Sequence, residues 1–115
     1  MIKDKTKIFK ALSDPNRLRI LKMLQVRPLY VCELTDILGL AASTVSQHLS
    51  ILKEAGFIVE YHEGKWVNYK INAATEDKRI SSIVSQLDFW ISDEESIIDD
   101  IKKAIKVDRF QLCSK

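Results

Sequence analysis

Residues 40–69 read LAASTVSQHLSILKEAGFIVEYHEGKWVNY, and this stretch decides the fold. Apolar residues recur at helical spacing at Val45, Leu49, Leu52 and Ala55, which predicts a helix that buries one stripe. The positions between them are short, polar and nearly uncharged: Ser43, Thr44, Ser46, Gln47, His48 and Ser50. Side chains of this kind on the first turns of a helix can offer donors and acceptors to base edges in a major groove. The stretch therefore predicts a DNA-reading helix.

The second half of the stretch predicts a β-hairpin. Lys53 follows the polar set and is a further predicted DNA-binding residue, and Gly56 is a natural helix stop. FIVEYH and KWVNYKI are rich in β-branched and aromatic residues, and Glu63-Gly64 between them is a plausible tight turn. Such a wing would place Lys65, and also His62, where they can reach phosphates or a minor groove. The alternative is an ordinary small domain with a polar helix and a hairpin that bind no nucleic acid.

Length and composition limit the class of protein. The chain has 115 residues, of which 46% are hydrophobic and 30% charged, so we expect one globular domain. No apolar run approaches the roughly 20 residues that cross a bilayer, and the start, MIKDKTKIFK, is too charged for a signal peptide. Two cysteines, Cys32 and Cys113, fit a reducing compartment better than a secreted disulfide scaffold. We therefore expect a cytoplasmic protein.

The charge is unevenly distributed along the chain. Residues 1–72 carry eleven Lys and Arg against seven Asp and Glu, whereas residues 73–115 carry seven against nine. This asymmetry indicates that the first part faces phosphate, although a solvated surface would explain the count as well. Because the surplus of positive charge is small, we expect a dimer, which doubles both the charge and the number of contacts with DNA.

The N-terminal third predicts three helices. Ile8, Phe9 and Leu12 give the first helix an apolar edge. Asp14 and Pro15 have the residue types of an N-cap and a first helical position, and Arg27-Pro28 ends that second helix. A third helix from about Val31 to Leu38 closes at Gly39 and leads by a short turn into the polar-faced helix. The predicted fold class is mainly α with a β-hairpin wing, that is, a winged helix-turn-helix.

Two amphipathic helices are predicted in the tail. Apolar residues recur at Ile80, Ile83, Val84, Leu87 and Ile91, and again at Ile97, Ile98, Ile101, Ala104 and Ile105. Ser92 and Glu95 have the spacing of a capping box for the second helix, and Asp99 and Asp100 would pair with Lys102 and Lys103 on an exposed face. We expect a single domain over 1–115, with 1–72 as DNA-binding core and wing and 73–115 as dimerisation helices.

The two tail helices have more apolar surface than the small domain formed by residues 1–72 can bury. An interface formed by the N- and C-terminal helices of two copies, with Phe89 or Trp90 as anchors, would bury that surface. The alternative is that the tail helices fold back on their own subunit.

Four blocks of the sequence resemble the ArsR/SmtB family of winged-helix repressors. These blocks are FKALSDPNRLRILKML, VCELTDILGL, STVSQHLSILKEAGFI and EGKWVNYKI, and the resemblance covers about residues 8–72. It implies a homodimer that sits on an inverted repeat of operator DNA and leaves it when an inducer binds. The recognition helix would run from about Ala42 to Ala55, with Ser43, Thr44, Ser46, Gln47 and His48 on the DNA and Lys65 in the wing. The family often has Ser where this chain has Ala41, so the usual side-chain cap is missing.

The resemblance leaves the inducer open. Arsenite-sensing members often carry Cys-Val-Cys at the start of the third helix, where this chain reads Tyr30-Val31-Cys32. Soft ions prefer thiolates, so Cys32 and Cys113 are the candidate ligands, with arsenite or antimonite as candidate inducers. The same thiols could instead form a disulfide on oxidation. They could also have no sensing role, since free Cys is a common core residue.

Other sites find less support. The family's tail-helix metal site uses an Asp and two His; aligning its Asp with Asp88 puts Trp90 and Ile101 at the His positions.

No Gly-rich phosphate loop, nucleophile with a base, or suggestive carboxylate pair indicates an enzyme, and no resident cofactor is predicted. The competing class is a winged-helix module that binds protein, and the salt dependence of duplex binding would distinguish it.

Overall fold

The computed structural model describes residues 2–107, which form a winged helix-turn-helix as the sequence predicts. The elements in chain order are α1 (Ile2–Ala11), α2 (Pro15–Val26), β1 (Leu29–Tyr30), α3 (Val31–Leu38), α4 (Ala42–Glu54), β2 (Ile58–Glu63), β3 (Trp66–Ile71), α5 (Lys78–Trp90) and α6 (Glu95–Lys106). Between residues 2 and 107, no helix is both long enough and apolar enough to pass through a bilayer.

The helix ends follow the local signals in the sequence. Asp14 caps α2, since its carboxylate accepts hydrogen bonds from the backbone N–H of Asn16 at 2.8 Å and of Arg17 at 3.3 Å. Gly39 ends α3 in the left-handed conformation, with φ of 68°, a conformation that glycine adopts at little cost. These two signals confirm the predicted boundaries of α2 and α3.

The sheet has three antiparallel strands in the order β1-β3-β2. β1 was not predicted, because two residues are too short to show an alternating pattern; they pair as Leu29 with Tyr69 and Tyr30 with Asn68. The hairpin turn is Gly64-Lys65 and not Glu63-Gly64, since Glu63 still pairs with Trp66. Gly64, with φ of 61°, makes this tight turn possible, and Lys65 lies at its tip.

A single apolar core joins the helices to the base of the hairpin. Leu21 of α2, Leu34 of α3, Leu49 and Leu52 of α4, and Phe57 before β2 are all fully buried within it. Each such side chain contributes about 1.5–3 kcal/mol through the apolar surface it removes from water. The core therefore fixes α4 against α2 and α3, and it fixes the hairpin beside α4.

The last helix folds back on its own subunit, which is the alternative that the sequence left open for the tail. α6 packs against α2 and α3 and buries Ile97, Asp100 and Ala104. The Asp100 carboxylate accepts two hydrogen bonds from Arg19, at 2.7 and 2.9 Å. Asp100 is therefore a buried ion-pair partner and not an exposed one as predicted. Only Asp99 pairs on the exposed face, with Lys103 at 3.3 Å.

The predicted capping box of α6 is also wrong. α6 begins at Glu95 with Glu94 in the N-cap position, and Ser92 lies in the turn formed by residues 91–93. The backbone N–H of Glu94 bonds to the carbonyl of Ile91 at 3.1 Å, so the turn occupies the residues that the capping box would need.

Arg27 fastens the end of α6 to the start of α3. Its guanidinium donates to the carbonyls of Ala104 at 2.8 Å and Val107 at 2.6 Å, and to the Glu33 carboxylate at 3.0 Å. Glu33 is buried and also accepts the backbone N–H of Tyr30 at 2.9 Å. These bonds satisfy helix-end carbonyls and a buried carboxylate together.

Candidate nucleic-acid interface

α4 presents its polar face outward, as the sequence predicts. Val45, Leu49 and Leu52 are completely buried, and this rotation of the helix brings the polar positions to the surface. The exposed ones are Ser43, Ser46, Gln47 and Ser50, whereas Thr44 and His48 are half-buried. The exposed residues occupy the first two and a half turns, the part of a helix that enters a major groove in a helix-turn-helix.

The start of α4 has no side-chain cap. Ala41 is in the N-cap position in extended conformation, and its carbonyl accepts the N–H groups of Thr44 at 3.0 Å and Val45 at 3.1 Å. The remaining N–H groups of the first turn therefore have no side-chain oxygen from Ala41 to accept them. Helix N-termini with free N–H groups are suited to contact a phosphate oxygen.

His48 is held from inside the protein by a residue that the sequence reasoning missed. Arg17 of α2 is almost fully buried, and its Nη1 lies 3.1 Å from Nδ1 of His48. The same guanidinium donates to the carbonyls of Lys10 at 3.0 Å and Ala11 at 2.8 Å. An arginine among the leucines of α2 is the only sequence signal for this contact, since its three partners come from two other helices.

The wing tip carries a cation on an aromatic support. Lys65 is exposed in the turn between β2 and β3, with its ammonium nitrogen 5.5 Å from the centre of the Trp66 ring. Tyr30 braces this end of the hairpin: its ring meets Trp66 edge to face at 6.3 Å, and its hydroxyl donates to Glu63 at 2.9 Å. Lys65 is thus exposed at the wing tip on a braced aromatic support.

Lys53 is less available than the sequence suggests. It is exposed on α4, but its ammonium donates to the Glu60 carboxylate of β2 at 2.8 Å, and the Tyr69 hydroxyl donates to the same carboxylate at 3.2 Å. The hydrogen bond with Glu60 raises the pKa of Lys53, and the reciprocal bond lowers the pKa of Glu60, so both groups stay ionised at neutral pH. The other predicted wing residue, His62, is exposed and lies 3.8 Å from Glu60.

The cysteine within the described residues belongs to α3 and not to α4. Cys32 is the second residue of α3, half-buried and disulfide-bonded, whereas Cys113 lies outside the described residues. Within residues 2–107, no group of three or more His, Cys, Asp or Glu side chains is placed to hold a metal ion. Asp88, which aligns with the family's tail-helix metal site, forms an ion pair with Lys22.

Comparison with known proteins identifies the family. The model of the family described as bacterial regulatory protein, arsR family, matches residues 14–60, which include α2 to α4. The HTH-type transcriptional regulator MJ1325 of Methanocaldococcus jannaschii is 42% identical over 82 residues, covering 70% of this chain and 88% of that protein. The arsenic resistance transcriptional regulator ArsR1 of Pseudomonas putida is 34% identical over 89 residues, covering 74% of this chain and 70% of that protein.

The fold is also that of solved regulators. HlyU from Vibrio cholerae superimposes with a TM-score of 0.65 at 28% identity, over 77% of this chain and 92% of HlyU. A structure named as reduced HlyU superimposes with a TM-score of 0.64 at the same identity, over 77% of this chain and 90% of that one. Both the relatives and the fold are those of transcriptional regulators and not of enzymes. The chain therefore belongs to the ArsR family, as a DNA-binding winged helix-turn-helix transcriptional repressor.

Proposed function

We propose that two copies of this repressor place their α4 helices in successive major grooves of an inverted repeat. The observation that carries this proposal is the exposed polar face of α4, which lies beside a wing whose tip is a lysine. Gln47 and Ser46 read base edges, because both are fully on the solvent side of the helix. Ser43, Thr44 and Ser50 supply further hydrogen bonds, and Lys65 contacts the phosphate backbone.

Pairing of two copies is supported by the apolar surface that one chain leaves uncovered. Phe89 and Trp90 at the end of α5 are 81% and 67% exposed, and Phe9 of α1 is 70% exposed. Large exposed aromatic residues at this density mark an interaction surface. The terminal helices α1 and α5 would form an isologous interface that sets the distance between the two α4 helices.

Substitutions in α4 and in the wing separate base reading from phosphate binding. Replacing Gln47 with Ala should cost about 1–3 kcal/mol on the preferred sequence and relax the preference at one base pair. Replacing Lys65 with Ala should weaken all duplexes alike and reduce the salt slope, because a phosphate contact carries no sequence information. Duplexes selected from a random library by the parent protein provide the probe. A Gln47→Ala protein with unchanged preference would refute the base-reading role.

We further infer that thiol chemistry at Cys32 releases the operator. Cys32 lies two residues after Tyr30, which braces the wing through Glu63 and Trp66, and it precedes the buried Glu33. A change at the first turn of α3 therefore reaches the wing through Tyr30. Oxidation would remove two electrons and two protons from Cys32 and Cys113 to form a disulfide, with diamide as the electron acceptor. The disulfide-bonded Cys32 and the structure of HlyU named as reduced both support a redox signal.

Arsenite or antimonite is the second candidate signal. The similar regulator ArsR1 is named for arsenic resistance, and As(III) binds thiolates. Here Cys32 and Cys113 would act as ligands, and a third donor would complete the site.

A single release assay distinguishes these signals. The parent, Cys32→Ser and Cys113→Ser proteins are first reduced and bound to fluorescent duplex. Each complex is titrated with diamide after the reductant is removed, and separately with arsenite or antimonite in the presence of the reductant. Release by diamide alone, lost in both variants, supports a redox repressor. Release by arsenite under reducing conditions supports a metalloid sensor. If both variants respond as the parent does, neither thiol carries the signal.

A further inference from the structure

Arg17 lies at the junction of three helices and directs its side-chain donors to the other two. It belongs to α2, it bonds the last carbonyls of α1, and it reaches His48 on α4. Its side chain is 9% exposed, and three nitrogens of the planar guanidinium have fixed partners between 2.8 and 3.1 Å. A guanidinium held at three points has little freedom to move, so it imposes a geometry on His48.

The contact between Arg17 and His48 also determines which ring nitrogen of His48 carries the proton. An arginine side chain has only donors, so Nδ1 of His48 must be the acceptor in the 3.1 Å contact with Nη1. In the neutral ring the proton is then on Nε2, which leaves Nε2–H as the donor for any ligand of α4. Without Arg17 the ring could exchange between two tautomers, and it could present either a donor or an acceptor.

We propose that Arg17 is a positioning residue for sequence reading, which fixes His48 as a hydrogen-bond donor towards an acceptor on a base edge. The acceptors that a major groove offers to such a donor are purine N7, guanine O6 and thymine O4. This inference rests on the proposed role of α4 in reading DNA. In this proposal Arg17 touches no base itself, but it determines which base His48 prefers.

The bonds to Lys10 and Ala11 also allow a simpler role, in which Arg17 only caps the end of α1. In that case its removal would lower stability and leave the tautomer of His48 and the base preference unchanged. The two roles therefore differ in a spectroscopic signature and in selectivity.

Nitrogen NMR of the free protein tests the tautomer directly. Long-range ¹H–¹⁵N spectra at about pH 8, above the ordinary pKa of histidine, distinguish Nε2–H from Nδ1–H rings. The chain has two histidines, and the exposed His62 serves as the internal control. We expect pure Nε2–H for His48 in the parent and a mixture in Arg17→Met. An Nδ1–H signal in the parent, or no change in Arg17→Met, would overturn the proposal.

Selectivity for DNA provides the second readout. The ratio of binding to a library-selected duplex over a random duplex should fall about tenfold in Arg17→Met, the factor expected when one base contact worth about 1.4 kcal/mol is lost. His48→Phe should show the same loss, and the double variant should lose no more than either single one. A control is Lys103→Met, which removes an exposed cation paired with Asp99 on α6 and should leave the ratio unchanged.

Three outcomes remain distinguishable. If Arg17→Met does not fold, Arg17→Lys retains a cation for the α1 carbonyls, and it should still show the mixed tautomer and reduced selectivity. If Arg17→Met lowers selectivity equally in the His48→Phe background, Arg17 does not act through His48 and the proposal fails. If the parent selects no sequence at all, the proposed function fails, whereas the NMR measurement still decides the contact between Arg17 and His48.

Discussion

The ion pair between Lys53 and Glu60 restrains a cation on the helix that would lie in the groove. Sequence alone indicates Lys53 as a DNA-binding residue, because it follows the polar face of α4. Glu60 lies in a different element, and only the packing of β2 against α4 brings its carboxylate to 2.8 Å from the ammonium. Contacts of this kind are not visible in a linear pattern, and the same is true of Arg19 with Asp100 and of Arg17 with His48.

Releasing Lys53 should increase binding to DNA. We expect Glu60→Gln to raise the affinity for random duplexes at low salt and to steepen the salt slope by about one per protomer, since Lys53 then neutralises a phosphate. Glu94→Gln, an equal charge change at an exposed site before α6, is the control. Equal affinities in the two variants would mean that Lys53 already reaches DNA in the parent.

The pH dependence of this pair has a definite sign. Lys53 lowers the pKa of Glu60, so the pair is intact above the ordinary pKa of a glutamate and is lost only as the pH falls through the lowered value. Acidifying the parent to about pH 5, still above the ordinary glutamate value near 4.3, should therefore not reproduce the Glu60→Gln phenotype. Salt titrations at neutral pH and at about pH 5 check this.

At the scale of elements, periodicity and end signals were sufficient for α2, α3 and α4. The buried stripe of α4, the Asp14-Pro15 start of α2 and the Gly39 end of α3 all lie where the sequence predicts. Features that depend on the partner element were not predictable. β1 is two residues long and forms a strand only through its pairing with β3. The hairpin turn lies one residue later than predicted, because Glu63 pairs with Trp66.

The uncapped start of α4 can be improved. Ala41 has the extended backbone of an N-cap and is exposed, so a serine there can accept an N–H of the first turn without a clash. We expect Ala41→Ser to stabilise the fold by about 1 kcal/mol. Urea unfolding measures the gain, and Ala42→Ser, one residue inside the helix, is the control that should bring none. A gain as large in Ala42→Ser would show that capping is not the cause.

At the scale of the whole molecule, the tail has two roles. α6 completes the core of its own subunit, whereas α5 buries Ile80 and Leu87 and leaves Phe89 and Trp90 exposed at its end. The sequence indicated surplus apolar surface and could not divide it between folding back and pairing. The contacts that hold α6 on its own subunit join distant residues, such as Arg19 and Asp100, which are 81 positions apart.

Disrupting the exposed end of α5 should separate the two copies. We expect Phe89→Glu with Trp90→Glu to yield monomers in sedimentation at micromolar concentration, since charges replace the apolar anchors. Operator affinity should fall on the order of 100-fold, because one α4 then binds without its tethered partner. Tyr61→Glu, at a half-exposed aromatic residue on the wing, should leave the oligomeric state unchanged. A double variant that stays dimeric would place the interface elsewhere.

The hydrogen bonds of Arg27 to both Glu33 and the end of α6 constrain how this protein can evolve. A shortened descendant without its final helix would lose both carbonyl acceptors of this guanidinium but would keep its bond to Glu33. Arg27 and Glu33 would still neutralise each other, whereas a change at either position would leave the other charge unpaired. Homologous chains that end early should therefore retain the arginine and the glutamate together.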